Sequence, residues 1–141
     1  MEARSVDSFD GGGGRGNVLE QRDRFWALAD ELVAKSELVI ERPRGSAHPR
    51  WQTVYPLDYG FLAGTRAMDD GGIDVWRGSL SHSSVTGAIA AVDVLKGDAE
   101  LKLLVGCTRA EAEEALAMHL RGSQAGMLLW REMGREEGTD T

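Results

Sequence analysis

The chain has 141 residues, 42% of them hydrophobic and 28% charged, which is typical of one globular domain. Its formal net charge of −7 disfavours nucleic acid as a partner, because phosphates repel an acidic surface. No apolar run reaches the roughly 20 residues that span a bilayer, and one cysteine, Cys107, excludes an internal disulfide. Since residues 1–16 also lack the apolar core of a signal peptide, we expect a cytoplasmic protein without a membrane partner.

The first predicted element is a helix at residues 21–35, where apolar residues recur at helical spacing. Ahead of it, residues 1–18 contain GGGGRG and have too little apolar surface to offset the entropy lost on ordering. We therefore predict a disordered N-terminal tail. Residues 132–141 are predicted to be a flexible acidic tail, which leaves residues 19–131 as the folded domain.

Short strands separated by turn signals follow this helix, at residues 36–41, 73–78, 85–95, 100–106 and 125–132. The stretch from 46 to 64 has the composition of loops, and Lys96-Gly97-Asp98 predicts a tight hairpin turn. Thr108 and Glu111 have the spacing of a capping box, which predicts a second helix through His119. Strands without long alternating helices indicate an α+β domain, either an antiparallel sheet or a closed barrel with two flanking helices.

Five acidic residues at turns or strand ends are candidate ligands for a hard cation: Glu41, Asp69, Asp74, Asp98 and Glu100. Taken singly, each is more often a solvated carboxylate. Alternate residues of a strand share one face, however, so Asp98, Glu100 and Lys102 are expected to project together. Oxygen ligands suit Mg²⁺, with Mn²⁺ also possible, better than zinc.

Tyr55 and Tyr59 are the only tyrosines, and they lie four residues apart beside Pro56. Their rings either pack in the core with the hydroxyls bonded nearby, or their hydroxyls donate to phosphate oxygens. Other site types lack support, because the chain has no HExxH zinc motif, no P-loop and no G-x-S-x-G nucleophile elbow.

Several motifs, in their order along the chain, resemble the soluble inorganic pyrophosphatases over about residues 38–105. The motifs are E-x8-R from Glu41, Y-P-L-D-Y-G-F from Tyr55, D-x4-D-V from Asp69, V-L-K from Val94 and E-L-K-L from Glu100. The resemblance implies a small OB-like closed antiparallel β-barrel with flanking helices and a possible homo-oligomer. It also implies hydrolysis of pyrophosphate with several magnesium ions.

The resemblance further implies a set of site residues. Metal ligands would be Glu41, Asp69, Asp74, Asp98 and Glu100. Phosphate-binding side chains would be Arg50, Tyr55, Tyr59, Lys102 and Arg121, the last in a segment, His119-Leu120-Arg121, that resembles a family helix. Asp74 and Tyr59 would act in catalysis.

Two departures from the family pattern bear on catalysis. Gly71 stands where the family has the aspartate that helps deprotonate the attacking water, a role that Asp70 is expected to cover. The segment between Arg50 and Tyr55 is short and lacks a hairpin that carries an active-site arginine, for which Arg44 is expected to compensate.

The sequence therefore predicts magnesium-dependent hydrolysis of pyrophosphate, a small-molecule phosphate substrate. A water shared by two metal ions, held by Asp69, Asp74 and Glu100, would be the nucleophile. Three alternatives stay open: a non-catalytic module that binds phosphate ligands, a hydrolase of another phosphoanhydride or phosphoester, and a structural interaction domain.

Overall fold

Two helices and six strands make up the part of the chain that the computed structural model describes, residues 14–67 and 71–132. In chain order they are α1 (Gly14–Ala34), β1 (Glu37–Arg42), β2 (Asp58–Ala63), β3 (Ile73–Arg77), β4 (Val85–Asp93), β5 (Asp98–Val105), α2 (Arg109–Ala117) and β6 (Gln124–Trp130). Residues 14–18, predicted to belong to the disordered tail, are helical. The rest of that segment, residues 1–13, and residues 133–141 lie outside the described residues.

The strands form one mixed sheet in the order β1-β2-β3-β5-β4-β6. Strands β3 and β5 are parallel, with Val75 opposite Leu103, and the other pairs are antiparallel. Within the described residues β1 and β6 do not pair, so the sheet is open at that point. The predicted closed antiparallel barrel is therefore wrong, because the described sheet is open and one of its strand pairs is parallel. The predicted α+β class is confirmed. Hydrophobic periodicity identifies strands but does not determine which strands become neighbours.

Each face of the sheet packs against one helix. Leu62, Val75 and Leu103 lie on the face that Trp26 and Ala29 of α1 cover. The opposite face is covered by α2, and its buried residues are Tyr55, Leu57, Trp76, Ile89, Leu104, Cys107, Ala112 and Ala115. Because both faces are buried along β5, that strand is apolar at successive positions from 103 to 105.

Helix α1 is attached by polar contacts as well as by Trp26. The Asp30 carboxylate accepts hydrogen bonds from the Val85 amide at 2.9 Å and from the Arg131 guanidinium at 3.0 Å. The predicted helical stripe is only partly buried, since Phe25 and Leu28 remain 42% and 47% exposed. No helix within the described residues is long and apolar enough to cross a bilayer.

The stretch predicted to be loop-rich contains β2, which is a correction to the sequence analysis. Gly60 lies in this strand, at a position where a Cβ atom would overlap the Val39 carbonyl oxygen. The close approach of β1 therefore requires glycine at this position.

The local turn and cap signals are confirmed. Thr108 accepts from the Glu111 amide, and the Glu111 carboxylate accepts from the Thr108 amide. Gly97 has a φ of 73° in the β4–β5 turn, a conformation that favours glycine. Helix α2 ends at Ala117, earlier than predicted, and His119 follows it.

Candidate functional site

Four polar side chains meet on the α2 face of the sheet, and we call them the lysine cluster: Tyr59, Asp74, Glu100 and Lys102. The Lys102 ammonium lies 2.9 Å from an Asp74 oxygen and 2.6 Å from a Glu100 oxygen. The strand register explains why these side chains meet. Asp74 on β3 lies opposite Phe61 on β2. Trp76 on β3 lies opposite Leu104 on β5, which is on the same face of the sheet as Lys102. Only 7% of the Lys102 side chain is exposed, so the two carboxylates replace its lost hydration.

The protonation states in this cluster follow from burial and charge. Burial, followed by the negative charge of Asp74, raises the pKa of Tyr59 far above its usual value, so the phenol stays protonated and donates to Asp74. Burial acts to lower the pKa of Lys102, but its ion pairs and hydrogen bonds with Asp74 and Glu100 outweigh burial and raise that pKa. The cluster thus holds a phenol, an ammonium and two carboxylates.

A cavity of about 170 Å³ opens beside the cluster. It is lined by His48, Trp51, Tyr55, Tyr59, Trp76, Lys102, Met118, His119 and Gln124. The rings of Tyr59 and Trp76 are 4.4 Å apart, and the Tyr55 ring packs 5.8 Å from both. The volume is below the roughly 300–1,000 Å³ usual for drug-sized ligands, which favours a small ligand.

Three arginines lie close enough to His48, which lines this cavity, to affect its charge. Burial lowers the pKa of His48, and so do the positive charges of Arg42, Arg121 and Arg50. The Arg121 guanidinium carbon lies 4.9 Å from the centre of the Trp51 ring. These arginines place positive charge near His48 in a protein whose net charge is −7. We call the three arginines the arginine rim.

Arg42 is a residue that the sequence analysis did not single out as a ligand-binding group. It pairs with Tyr59 across β1 and β2, after an irregularity in the register between Ile40 and Arg42. That irregularity explains the omission, because simple alternation along β1 does not predict which face Arg42 occupies.

His119 lies between the cavity and the core. The Trp76 indole N–H donates to its Nε2 atom at 3.1 Å, and its side chain also bonds with Gln124. Burial, followed by the positive charge of Lys102, lowers the pKa of His119 to about 4. The imidazole is therefore neutral at pH 7, and it connects Trp76 to the first residue of β6.

The neutral state of His119 predicts a pH-dependent stability. The unfolded chain takes up a proton near pH 6.5 and the folded chain only near pH 4, so stability is complete above 6.5 and falls as the pH drops through this window. We expect a loss of about 2 kcal/mol between pH 7 and pH 5 in urea unfolding.

Two variants test this prediction. His119→Gln should flatten the slope between pH 5 and 6.5, whatever its effect on absolute stability, whereas the exposed His82→Gln should leave the slope unchanged. His48, whose pKa is also lowered, adds to the slope in the same direction. An equal slope in wild type and His119→Gln would show that the buried imidazole does not take part.

The structure brings together some of the predicted site residues and not others. Tyr55, Tyr59 and Lys102 line the cavity, Asp74 and Glu100 bond to Lys102, and Arg50 and Arg121 belong to the arginine rim. The predicted ligands Asp69 and Asp70 lie outside the described residues.

Three other predicted residues lie apart from the cluster. Glu41 is exposed at the irregularity in β1. Arg44 is exposed, and its backbone amide donates to Asp58. Asp98, the first residue of β5, forms an ion pair at 3.7 Å with Lys96 of the β4–β5 turn.

The described residues offer two carboxylates, not three, to a metal ion. No group of three or more His, Cys, Asp or Glu side chains converges within residues 14–67 and 71–132. Asp74 and Glu100 each use an oxygen for Lys102. Mg²⁺ is commonly bound through one or two carboxylates together with substrate phosphates, so this donor set fits one such ion better than a two-metal cage.

The solved structures that this chain matches include three inorganic pyrophosphatases. The protein from Neisseria gonorrhoeae is 17% identical, with a TM-score of 0.50 over 68% of this chain and 82% of that chain. The protein from Coxiella burnetii is 12% identical, with a TM-score of 0.47 over 74% of this chain and 90% of that chain. The protein from Thermus thermophilus is 19% identical, with a TM-score of 0.44 over 68% of this chain and 82% of that chain. No protein-family model and no curated protein sequence matches the chain. The similarity to the Neisseria protein establishes a related fold.

Proposed function

We propose that this chain binds inorganic pyrophosphate together with Mg²⁺ and hydrolyses it to two phosphates. The observation that supports the proposal is that the lysine cluster adjoins a small cavity whose residue His48 lies near the arginine rim, so that carboxylates and cationic side chains would be available to one ligand. The fold similarity to a pyrophosphatase is consistent with this assignment. A cytoplasmic location remains a prediction from the sequence.

The anion would be held by donors from three directions. Lys102 has three N–H donors and uses two for carboxylates, which leaves one for a phosphate oxygen. Arg42, Arg50 and Arg121 would bind further oxygens, since the planar guanidinium suits phosphate. The Tyr55 hydroxyl would add a neutral donor at the wall of the cavity, while the Tyr59 hydroxyl stays bonded to Asp74.

Asp74 and Glu100 would hold the magnesium ion, with Mn²⁺ as a possible substitute, and Asp69 and Asp70 remain candidates for further ligands. The ion would supply neutralising charge and a more acidic bound water. Asp74 would accept a proton from the attacking water, while the hydrogen bond from Tyr59 would fix its orientation. Water adds to one phosphorus, the bridging P–O bond breaks, and the arginine rim stabilises charge on the departing phosphate.

A second candidate function is binding without turnover. It is favoured by Gly71, which removes one expected carboxylate, and by the ion pairs through which Lys102 already occupies an oxygen of both Asp74 and Glu100. In this case the cavity would bind a phosphate ligand, but no group would activate water.

Phosphate release and calorimetric binding, measured side by side, test the proposal. We expect release from pyrophosphate that requires Mg²⁺, and Arg42→Gln should raise KM or Kd about tenfold, the effect of one lost charge-assisted bond. Arg109→Gln, on α2 and away from the cavity lining, is the matched control. Binding without release would establish the second candidate, and neither binding nor release would refute both.

A further inference from the structure

Residues 45–55 form a loop beside the candidate cavity, and three of them, His48, Trp51 and Tyr55, line it. The His48 amide donates to the Thr53 carbonyl at 2.9 Å, which joins the two sides of the loop below its tip. The side chain of His48 is therefore carried on a closed piece of backbone at the wall of the cavity.

The His48 imidazole holds the tip of this loop. Its Nδ1 atom accepts hydrogen bonds from two backbone amides, that of Arg50 at 2.9 Å and that of Trp51 at 3.2 Å. A ring nitrogen that accepts a hydrogen bond carries no proton, and a neutral imidazole has one proton, so that proton is on Nε2. The loop backbone thus selects the Nε2–H tautomer of His48.

Contacts with two aromatic rings fix the plane of this imidazole. It stacks on the Trp51 ring, with the centroids 4.1 Å apart and an angle of 12°, and the Tyr55 ring lies nearly parallel to it at 6.0 Å. The two ring nitrogens point to different sides of an imidazole, so Nε2 is directed away from the two amides. Within residues 14–67 and 71–132, the hydrogen bonds of the imidazole are those at Nδ1, which leaves the Nε2–H for a ligand.

The surroundings of His48 keep its ring neutral. Burial lowers the pKa of His48, and so do the positive charges of Arg42, Arg121 and Arg50. A second proton would have to go to Nδ1, where it would displace both backbone hydrogen bonds. An anion attracted by the arginine rim would therefore meet a neutral N–H donor on the ring beside it.

We propose that the Nε2–H of His48 donates a hydrogen bond to a phosphate oxygen of the ligand, which makes His48 a ligand-binding residue as well as the residue that shapes its loop. This inference rests on the function proposed above, because it takes the ligand to be pyrophosphate. A neutral donor adds direction to the binding site without adding charge. Its loss should therefore weaken binding and leave the salt dependence of binding unchanged.

Two substitutions separate the roles of the two ring nitrogens. In His48→Asn the amide oxygen can replace Nδ1 as the acceptor, but the side chain has no group at the position of Nε2. In His48→Gln the amide N–H can reach the position of Nε2, but the two backbone amides lose their acceptor. The probe is methylenediphosphonate with Mg²⁺, a pyrophosphate analogue in which a bridging CH₂ group prevents hydrolysis.

Calorimetry of the full chain with this probe tests the proposal. We expect His48→Asn to raise Kd about tenfold, the effect of one lost hydrogen bond, and His48→Gln to retain more of the affinity. His82→Asn is the matched control, because the His82 Nδ1 also accepts from a backbone amide, that of Ser84, but His82 does not line the cavity. Wild-type affinity in His48→Asn, or a smaller loss there than in His48→Gln, would overturn the proposal, since either result assigns the effect to Nδ1.

Nitrogen NMR of the ligand-free protein distinguishes failure of this inference from failure of the proposed function. The ¹⁵N chemical shifts of an imidazole show which ring nitrogen carries the proton, and we expect Nε2 in wild type at pH 7. A proton on Nδ1 would overturn the inference even in a protein that hydrolyses pyrophosphate. A wild type with the Nε2–H tautomer that binds no probe would refute the proposed function, and the ligand-binding role of His48 with it.

Discussion

Replacing Lys102 with methionine is expected to lower the free energy of unfolding by about 3 kcal/mol, near the lower end of the range for breaking a buried ion pair. The reason is that Asp74 and Glu100 would lose their shared cation, while Glu100 is only 12% exposed. The Asp74 side chain is 30% exposed, so water would recover part of the loss. Urea unfolding monitored by circular dichroism measures the change.

Two further variants separate charge from packing. Adding Asp74→Asn and Glu100→Gln to Lys102→Met removes the unpaired charges, so it should restore much of the stability. Lys96→Met breaks an exposed pair with Asp98 and should change stability by less than about 1 kcal/mol. A Lys102→Met protein as stable as wild type would mean that the lysine cluster contributes nothing to the fold.

Asp74→Asn is expected to reduce kcat for phosphate release by about 100-fold or more, within the range for loss of a general base. The amide has nearly the same shape as the carboxylate and can still accept from Tyr59, but it cannot take a proton and binds Mg²⁺ weakly. The measurement is release from pyrophosphate over a magnesium titration, with fluoride as inhibitor.

The control for this variant is Asp23→Asn, an exposed aspartate of α1, which should retain wild-type activity. Calorimetry adds a second readout, because Asp74→Asn should also weaken the dependence of pyrophosphate binding on Mg²⁺. Activity within threefold of wild type in Asp74→Asn would remove Asp74 from the proposed mechanism, and a magnesium dependence unchanged from wild type would place the ion elsewhere.

Much of the candidate site could be predicted from local pattern. Glu100 and Lys102 alternate on one strand, and alternation determines that they share a face. Arg42 and the His119–Trp76 bond could not be predicted in this way. The position of Arg42 depends on an irregular register, and His119 meets an indole 43 residues away in the chain.

The sequence by itself determined the elements with local causes. The capping box at Thr108, the glycine turn at Gly97 and the helical period of α1 all act within a few residues. Only the tertiary structure decided that β3 and β5 are parallel neighbours and that Asp74 meets Lys102. It also decided that, in the part of the chain that the structure describes, the sheet is open between β1 and β6. These arrangements depend on how two helices cover the two sheet faces, and no local preference carries that information.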